Sequence, residues 1–165
     1  MYKVNENVIY PGTGVCRIED IKIQDFGGEK KEYYVLKPLY EKYSTTLFVP
    51  VEGSKVNLRK LFTKNEIDEF IEKIDSFEEL VVENDRKRQD AFNKILRSGN
   101  NVDIVRVITH LYNEKLEKSI EGKSLRATDE KIFNEAQKLI NQEFATTLGI
   151  LPDEVPEYIS KKIKG

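Results

Sequence analysis

The residues that most often carry chemistry are scarce in this 165-residue chain, which has no tryptophan, one cysteine and one histidine. A single cysteine, Cys16, cannot form an internal disulfide, and its place in an alternating strand pattern favours packing over reactivity. A zinc site needs about four suitable ligands at defined spacing, and His110 lies far from Cys16 along the chain. The composition therefore predicts neither a disulfide nor a metal site.

Long apolar runs are also missing. No stretch approaches the roughly 20 apolar residues that span a bilayer. The start of the chain lacks the charged and then apolar pattern of a secretory leader. We therefore expect no membrane association and a cytoplasmic location.

Motifs for catalysis are absent as well. Gly12-Thr13-Gly14 lacks the further glycine and the helix start of a dinucleotide loop, and no Gly-Lys-Ser/Thr sequence forms a P-loop. Carboxylates are abundant, as amphipathic helices require, but no pair stands out for acid–base catalysis. His110 is interpreted as a structural or surface residue of a helix. The sequence predicts a binding protein without a cofactor rather than an enzyme.

Charge is distributed unevenly, although the net charge is only −2. Residues 63–85 hold nine acidic against two basic side chains, whereas residues 86–126 hold ten basic against five acidic. One interpretation is a set of solvated helix faces. The other is a basic surface that meets phosphates beside an acidic surface that repels them.

The hydrophobic pattern changes its period near residue 62. Up to about residue 58, β-branched and aromatic residues alternate with polar ones, with turns at Gly12 to Gly14 and at Gly27-Gly28. Beyond it, Thr63-Lys64-Asn65-Glu66 is a capping box at a helix start. We predict an α+β chain with a small β-barrel over residues 1–62 and an all-α domain of about four to five helices over residues 63–165.

Several helices are expected in the second domain. A repeated capping signal at Ser76-Phe77-Glu78-Glu79 predicts a further helix start. One helix should run from about Asp85 to Gly99, and a long one from about Ala127 to Thr147, followed by a short last helix. Between these two, another helix should bury a wide apolar face, formed by Ile104, Val105, Val107, Ile108, Leu111, Tyr112, Lys115 and Leu116.

An ordered series of motifs resembles the CarD family of bacterial transcription regulators. The series covers about residues 2 to 149. It consists of the Val-x-Tyr-Pro-x-x-Gly pattern at Val8 to Gly14, the hairpin and strand from Gly28 to Lys37, Leu47-Phe48-Val49-Pro50, and Ser98-Gly99 between two helices. The resemblance implies a Tudor-like barrel that docks on the β subunit of RNA polymerase, followed by a helical domain.

The resemblance also implies where docking occurs. In this family the barrel pairs a strand edge with the polymerase, a contact made by backbone hydrogen bonds. By position, the polymerase-binding residues here are Lys22, Ile23 and Gln24 on one strand and Thr46, Leu47 and Phe48 on another. Gln24 and Phe48 stand where some relatives carry arginines, so apolar and amide contacts are expected in place of charged ones.

Promoter contact is the second implied activity. In the family, a tryptophan beside basic residues wedges into the minor groove at the melted promoter. This chain has Asp85 at that position, followed by the basic cluster Arg86-Lys87-Arg88. Aspartate cannot wedge, but it can cap the helix, while the basic cluster can contact phosphates or form a solvated helix start. Phe92 could replace the wedge, but its apolar neighbours favour a core position.

Two functions follow from the resemblance. The first is a regulator that docks on polymerase and stabilises the open promoter complex, with weak affinity for promoter DNA alone. The alternative is a polymerase-binding adaptor that has lost the DNA step. Exposed strand edges can exchange between copies, so we expect a monomer or a domain-swapped dimer.

Overall fold

The computed structural model describes residues 1–41, 45–82 and 86–165. The chain divides into two compact units, Met1–Leu61 and Phe62–Gly165. The first is a β-sheet and the second is helical, so the predicted α+β class is confirmed.

The first unit is a five-stranded antiparallel sheet with the strand order β4-β3-β2-β1-β5. Among the described residues, β4 and β5 lie at opposite edges and do not pair, so the sheet is open rather than a closed barrel. The strands are β1 (Asn7–Tyr10), β2 (Gly14–Phe26), β3 (Glu29–Pro38), β4 (Leu47–Pro50) and β5 (Arg59–Lys60).

A two-residue turn joins the long strands β2 and β3. Gly27 and Gly28 both have positive φ, 71° and 85°, which this kind of hairpin turn requires and which glycine adopts without a Cβ clash. The turn pairs Phe26 with Glu29 and thereby sets the register of the hairpin. This register shifts once, at a bulge between Ile18 and Asp20.

The core of the sheet lies on one face. Ile21 and Tyr34 are paired across β2 and β3, and both contact this core, whereas the next pair, Lys22 and Tyr33, lies on the other face because side chains alternate. The buried core residues are Val8, Cys16, Ile18, Tyr34, Leu36 and Val49. We call the opposite face of β2, β3 and β4 the outer face.

The second unit contains helices joined by short connections. Its first helix begins at the predicted capping box: the Glu66 N–H donates to the Thr63 hydroxyl (3.2 Å), and the Thr63 N–H donates to the Glu66 carboxylate (3.0 Å). Asn100 caps the third helix by accepting from the Asp103 N–H (3.1 Å). The helices are α1 (Lys64–Lys73), α2 (Arg88–Ser98), α3 (Asn101–Ile120), α4 (Ala127–Leu148) and α5 (Val155–Lys164), with 3₁₀ turns at Ile74–Ser76 and Pro152–Glu154.

The prediction of a helix that starts at Ser76 is wrong. Phe77 is extended (φ −68°, ψ 134°), and no helix follows it before the end of this described stretch at residue 82. Arg106 on α3 donates to the carbonyl oxygens of Glu78 (2.8 Å) and Glu79 (3.3 Å), which a helix would have bonded internally. The guanidinium thus supplies partners to the extended backbone, and the capping signal is overridden.

The apolar face of α3 is also narrower than predicted. Ile104, Val107 and Leu111 are buried in the helical core. Tyr112 and Leu116 are 51% and 47% exposed, so they do not widen the buried stripe. No helix in the described part of the chain is both long and apolar enough to cross a membrane.

Candidate functional site

Strand β4 is the outermost strand on one side of the sheet. The Val51 N–H donates to the Glu32 carbonyl (3.0 Å), which marks a hydrogen-bonded position of the β3–β4 ladder. Hydrogen-bonded and non-hydrogen-bonded positions alternate along an antiparallel pair. Val49 is therefore also hydrogen-bonded to β3, whereas Phe48 lies at a position that is not. The N–H and C=O of Phe48 therefore point away from β3, toward the open side of the strand.

A second open edge lies on the other side of the same hairpin. Pairing between β1 and β2 ends at Asn7 and Arg17, so among the described strands the outer part of β2 pairs only with β3. The two-residue turn makes Phe26 and Glu29 a hydrogen-bonded pair, and three residues earlier Ile23 falls between bonded positions. The backbone groups of Ile23 point to this second edge.

The six sequence-predicted docking residues therefore lie on two different edges. Residues 22–24 belong to β2, whereas Leu47 and Phe48 belong to β4 and Thr46 is exposed just before it. Strand β3 separates the two edges. One added strand can pair with only one of them, so the backbone sites are alternatives. The structure nevertheless brings two side chains together, because the Lys22 ammonium lies 5.9 Å from the centroid of the Phe48 ring.

Aromatic rings gather on the outer face beside the β4 edge. The Phe26 ring lies 5.1 Å from Tyr33 and 5.4 Å from Phe48, centroid to centroid, and both contacts are edge-to-face. Phe26 is 50% exposed and Phe48 39%. Phe26 and Tyr33 cannot be recognised as site residues from the sequence, because the three aromatic rings come from three strands. Their only sequence signal is that each is aromatic at an alternating strand position.

In the helical unit, the predicted DNA-binding residue Arg88 is buried. Its side chain forms two hydrogen bonds to the Glu114 carboxylate, one of them from Nη1 to Oε1 at 2.9 Å. Its Nη2 also lies 3.3 Å from the Asp129 carboxylate, and its guanidinium carbon lies 5.2 Å from the centroid of the Phe92 ring. Arg88 is only 6% exposed and therefore ties the start of α2 to α3 and α4.

The charges of this ion pair stabilise one another. Hydrogen bonding to Glu114 raises the pKa of Arg88 above its usual value. Burial alone would raise the pKa of Glu114, but the hydrogen bond and charge of Arg88 outweigh burial and lower that pKa. Both groups remain ionised at neutral pH.

The assignment of Arg88 to phosphate contact is therefore corrected, because its guanidinium is occupied by two carboxylates. Arg86 and Lys87 are exposed just before α2, and Asp85 lies outside the described residues. Lys94 and Arg97, which the sequence analysis did not single out, are exposed on α2 itself. Phe92 is fully buried, as its apolar neighbours predicted.

Comparison with protein families gives the first unit its assignment. Residues 2–62 match the model of the CarD-like/TRCF RID domain. The first unit is a CarD-like/TRCF RID domain. The match supports an RNA polymerase-interacting, transcription-related protein.

The buried thiol of the RID domain is unsuited to chemistry. Burial, and secondarily the charge of Glu41, raises the pKa of Cys16 to about 12. Because the thiolate is the reactive form, Cys16 is inert at neutral pH. Its role is packing in the sheet core.

The other candidate for chemistry is His110. It borders a cavity of about 540 Å³ between α3 and the segment around Phe77, and within the described chain its Nε2 has no hydrogen-bond partner. The Glu114 carboxylate in this cavity is held by Arg88. Across the described residues, no three His, Cys, Asp or Glu side chains lie close enough to hold a metal ion.

Proposed function

We propose that this protein docks on the β subunit of RNA polymerase through the open edge of β4 and modulates transcription initiation by stabilising the open promoter complex. The observation that carries the docking step is the orientation of Phe48. Its backbone N–H and C=O are available to an added strand, and its ring lies on the outer face beside that strand. Such a regulator acts in the cytoplasm.

Of the two open edges, β4 suits docking better. The aromatic rings of Phe26 and Phe48 lie beside this edge and offer apolar contact area. On β2, the exposed apolar side chains are Ile23, on the face opposite these rings, and Phe26, whose ring lies 5.4 Å from that of Phe48 on β4.

The promoter step rests on the exposed basic residues just before and along α2. Arg86, Lys87, Lys94 and Arg97 are all exposed and can approach phosphates. A net charge of −2 argues against tight independent DNA binding. Docking on polymerase removes that requirement, because tethering raises the effective concentration of the basic residues at the promoter.

The second candidate is an adaptor that binds polymerase without the DNA step. The burial of Arg88 favours it, because the predicted basic cluster loses one of its three charges to an internal ion pair. The absence of tryptophan favours it too, because no such ring is present to wedge between bases.

Open-complex lifetime separates these two functions. It would be measured at a ribosomal-type promoter with saturating protein, for the wild type and for Arg86→Glu/Lys87→Glu. A regulator prolongs the lifetime, and the double variant loses the effect while still binding polymerase. The control Lys73→Glu/Lys164→Glu makes the same charge change at exposed positions on α1 and α5 and should retain the effect. Polymerase binding with an unchanged lifetime would establish the adaptor instead.

A further inference from the structure

We propose that the rings of Phe26, Tyr33 and Phe48 form the apolar anchor of the docking site. In this proposal, the polymerase β-subunit strand that pairs with β4 lays an aliphatic side chain on these rings and places a carboxylate beside Lys22. This inference rests on the proposed docking function and specifies the side chains that give it affinity. Of the three rings, only Phe48 lies on β4 itself, whereas Phe26 lies on β2 and Tyr33 on β3.

The position of the rings is unusual for side chains that only stabilise the fold. The sheet core lies on the other face, and neither Phe26 nor Phe48 belongs to it. Half of Phe26 and more than a third of Phe48 remain in contact with water. Clustered exposed aromatic rings are typical of interaction sites, where aromatic anchors supply much of the binding energy.

Strand addition determines which side chains of the partner strand lie against the rings. A strand paired with β4 places every second side chain on the outer face, with a Cβ about 4.5–5.5 Å from that of the residue opposite. The side chain opposite Phe48 therefore lies against its ring. Phe26 extends this contact surface, because its ring is 5.4 Å from that of Phe48. Backbone pairing and ring contact thus belong to one continuous surface.

The charge of Lys22 beside the rings indicates the second side chain expected on the partner strand. The Lys22 ammonium lies over the Phe48 ring, and within the described residues Lys22 forms no salt bridge. Its exposed side chain can therefore pair with a carboxylate on the partner. A partner strand that alternates an aliphatic with an acidic side chain on this face fits both features.

The test is the affinity of the full-length chain for core RNA polymerase. Phe26→Ser removes a ring without touching the β4 backbone and should weaken binding about tenfold or more. The matched control is Val4→Ser, since Val4 is an apolar side chain of the same unit that is 45% exposed and lies outside the strands. It should change affinity less than about twofold. Phe26→Tyr keeps the ring and should retain wild-type affinity.

The charge contact has its own pair of variants. Lys22→Glu should weaken binding, and the effect should shrink at high salt, because salt screens the interaction with a carboxylate. Lys30→Glu makes the same change on the opposite face and should have little effect. Equal losses for Phe26→Ser and Val4→Ser, or unchanged binding by Phe26→Ser, would overturn the anchor. Failure of the wild type to bind polymerase would instead refute the docking function.

Discussion

The RID domain exposes aromatic side chains that proteins usually bury, whereas the helical unit buries charged side chains that proteins usually expose. The RID domain leaves Phe26 and Phe48 exposed on its outer face, whereas the helical unit takes Arg88, Asp129 and Glu143 into its interior. An exposed ring forgoes hydrophobic stabilisation that a partner can restore. A buried charge is tolerated only where hydrogen bonds satisfy it, and those bonds fix the geometry around it. The RID domain is therefore suited to being covered, and the helical unit to holding its helices in one arrangement.

Removing Arg88 should have the largest effect on stability. Arg88→Ala leaves the Glu114 and Asp129 carboxylates without their shared partner, which should cost about 3–5 kcal/mol of unfolding free energy. Urea unfolding followed by circular dichroism measures this cost. The control Lys87→Ala changes an exposed neighbour and should stay within about 0.5 kcal/mol. If both variants lost the same stability, Arg88 would not be the link between α2, α3 and α4.

Glu143 provides a second test of buried charge. Its carboxylate accepts from the Phe62 N–H (2.9 Å) and from the Asn101 side-chain amide (3.1 Å), which fixes the first residue of the helical unit on α4. Glu143→Gln replaces one acceptor oxygen by a donor and should cost about 1–3 kcal/mol in urea unfolding. Glu135→Gln makes the same change at an exposed position of α4, and a comparable loss there would contradict this role.

The attachment of α5 depends on a more exposed carboxylate and should be weaker. Asp68 on α1 accepts from the Tyr158 hydroxyl (2.6 Å) and from Lys64 Nζ (2.8 Å). Tyr158→Phe should therefore destabilise the helical unit by about 0.5–1.5 kcal/mol. The control Tyr112→Phe removes a hydroxyl from a half-exposed ring on α3 and should cost less.

The same contact should depend on pH. Hydrogen bonds from Lys64 and then Tyr158 lower the pKa of Asp68. Because the folded pKa lies below the unfolded value, this stabilisation is present above the unfolded pKa and is lost as the pH falls through the folded one. When the free energy of unfolding is measured as the pH falls, Asp68→Asn should lose less stability than the wild type does. An unchanged acid profile would show that other carboxylates dominate it.

The smallest expected effect concerns Cys16. Because its pKa is raised to about 12 and its side chain is buried, the native protein should react only very slowly with a thiol reagent at pH 8. Unfolding in urea should expose the thiol and restore normal reactivity. Rapid modification of the native protein would mean that the sheet core opens readily.

Local chemistry made much of the fold predictable. Gly27-Gly28 specifies its turn, and Thr63 with Glu66 specifies the start of α1, because these signals act between neighbouring residues. The signal at Ser76 failed because Arg106, distant in the sequence, supplies partners to the backbone there. Sequence patterns record local preferences and do not record such distant competitors.

The candidate site was less predictable for the same reason. The partners of Arg88 lie 26 and 41 residues away, so a basic run next to a helix start gave no sign that one of its charges is buried. The aromatic anchor requires knowing that β2, β3 and β4 are neighbours. The candidate docking strands, by contrast, could be predicted from the family resemblance, although their separation onto two edges could not.

The most direct test of the account is to compare proline at the two open edges. Phe48→Pro removes the outward N–H of β4, and Ile23→Pro removes the equivalent N–H of β2, while neither residue contributes its N–H to the pairing with β3. Affinity for core RNA polymerase would be measured for both full-length variants. We predict that Phe48→Pro loses about tenfold or more in affinity, whereas Ile23→Pro binds within about twofold of the wild type. Loss of binding by Ile23→Pro with normal binding by Phe48→Pro would contradict it.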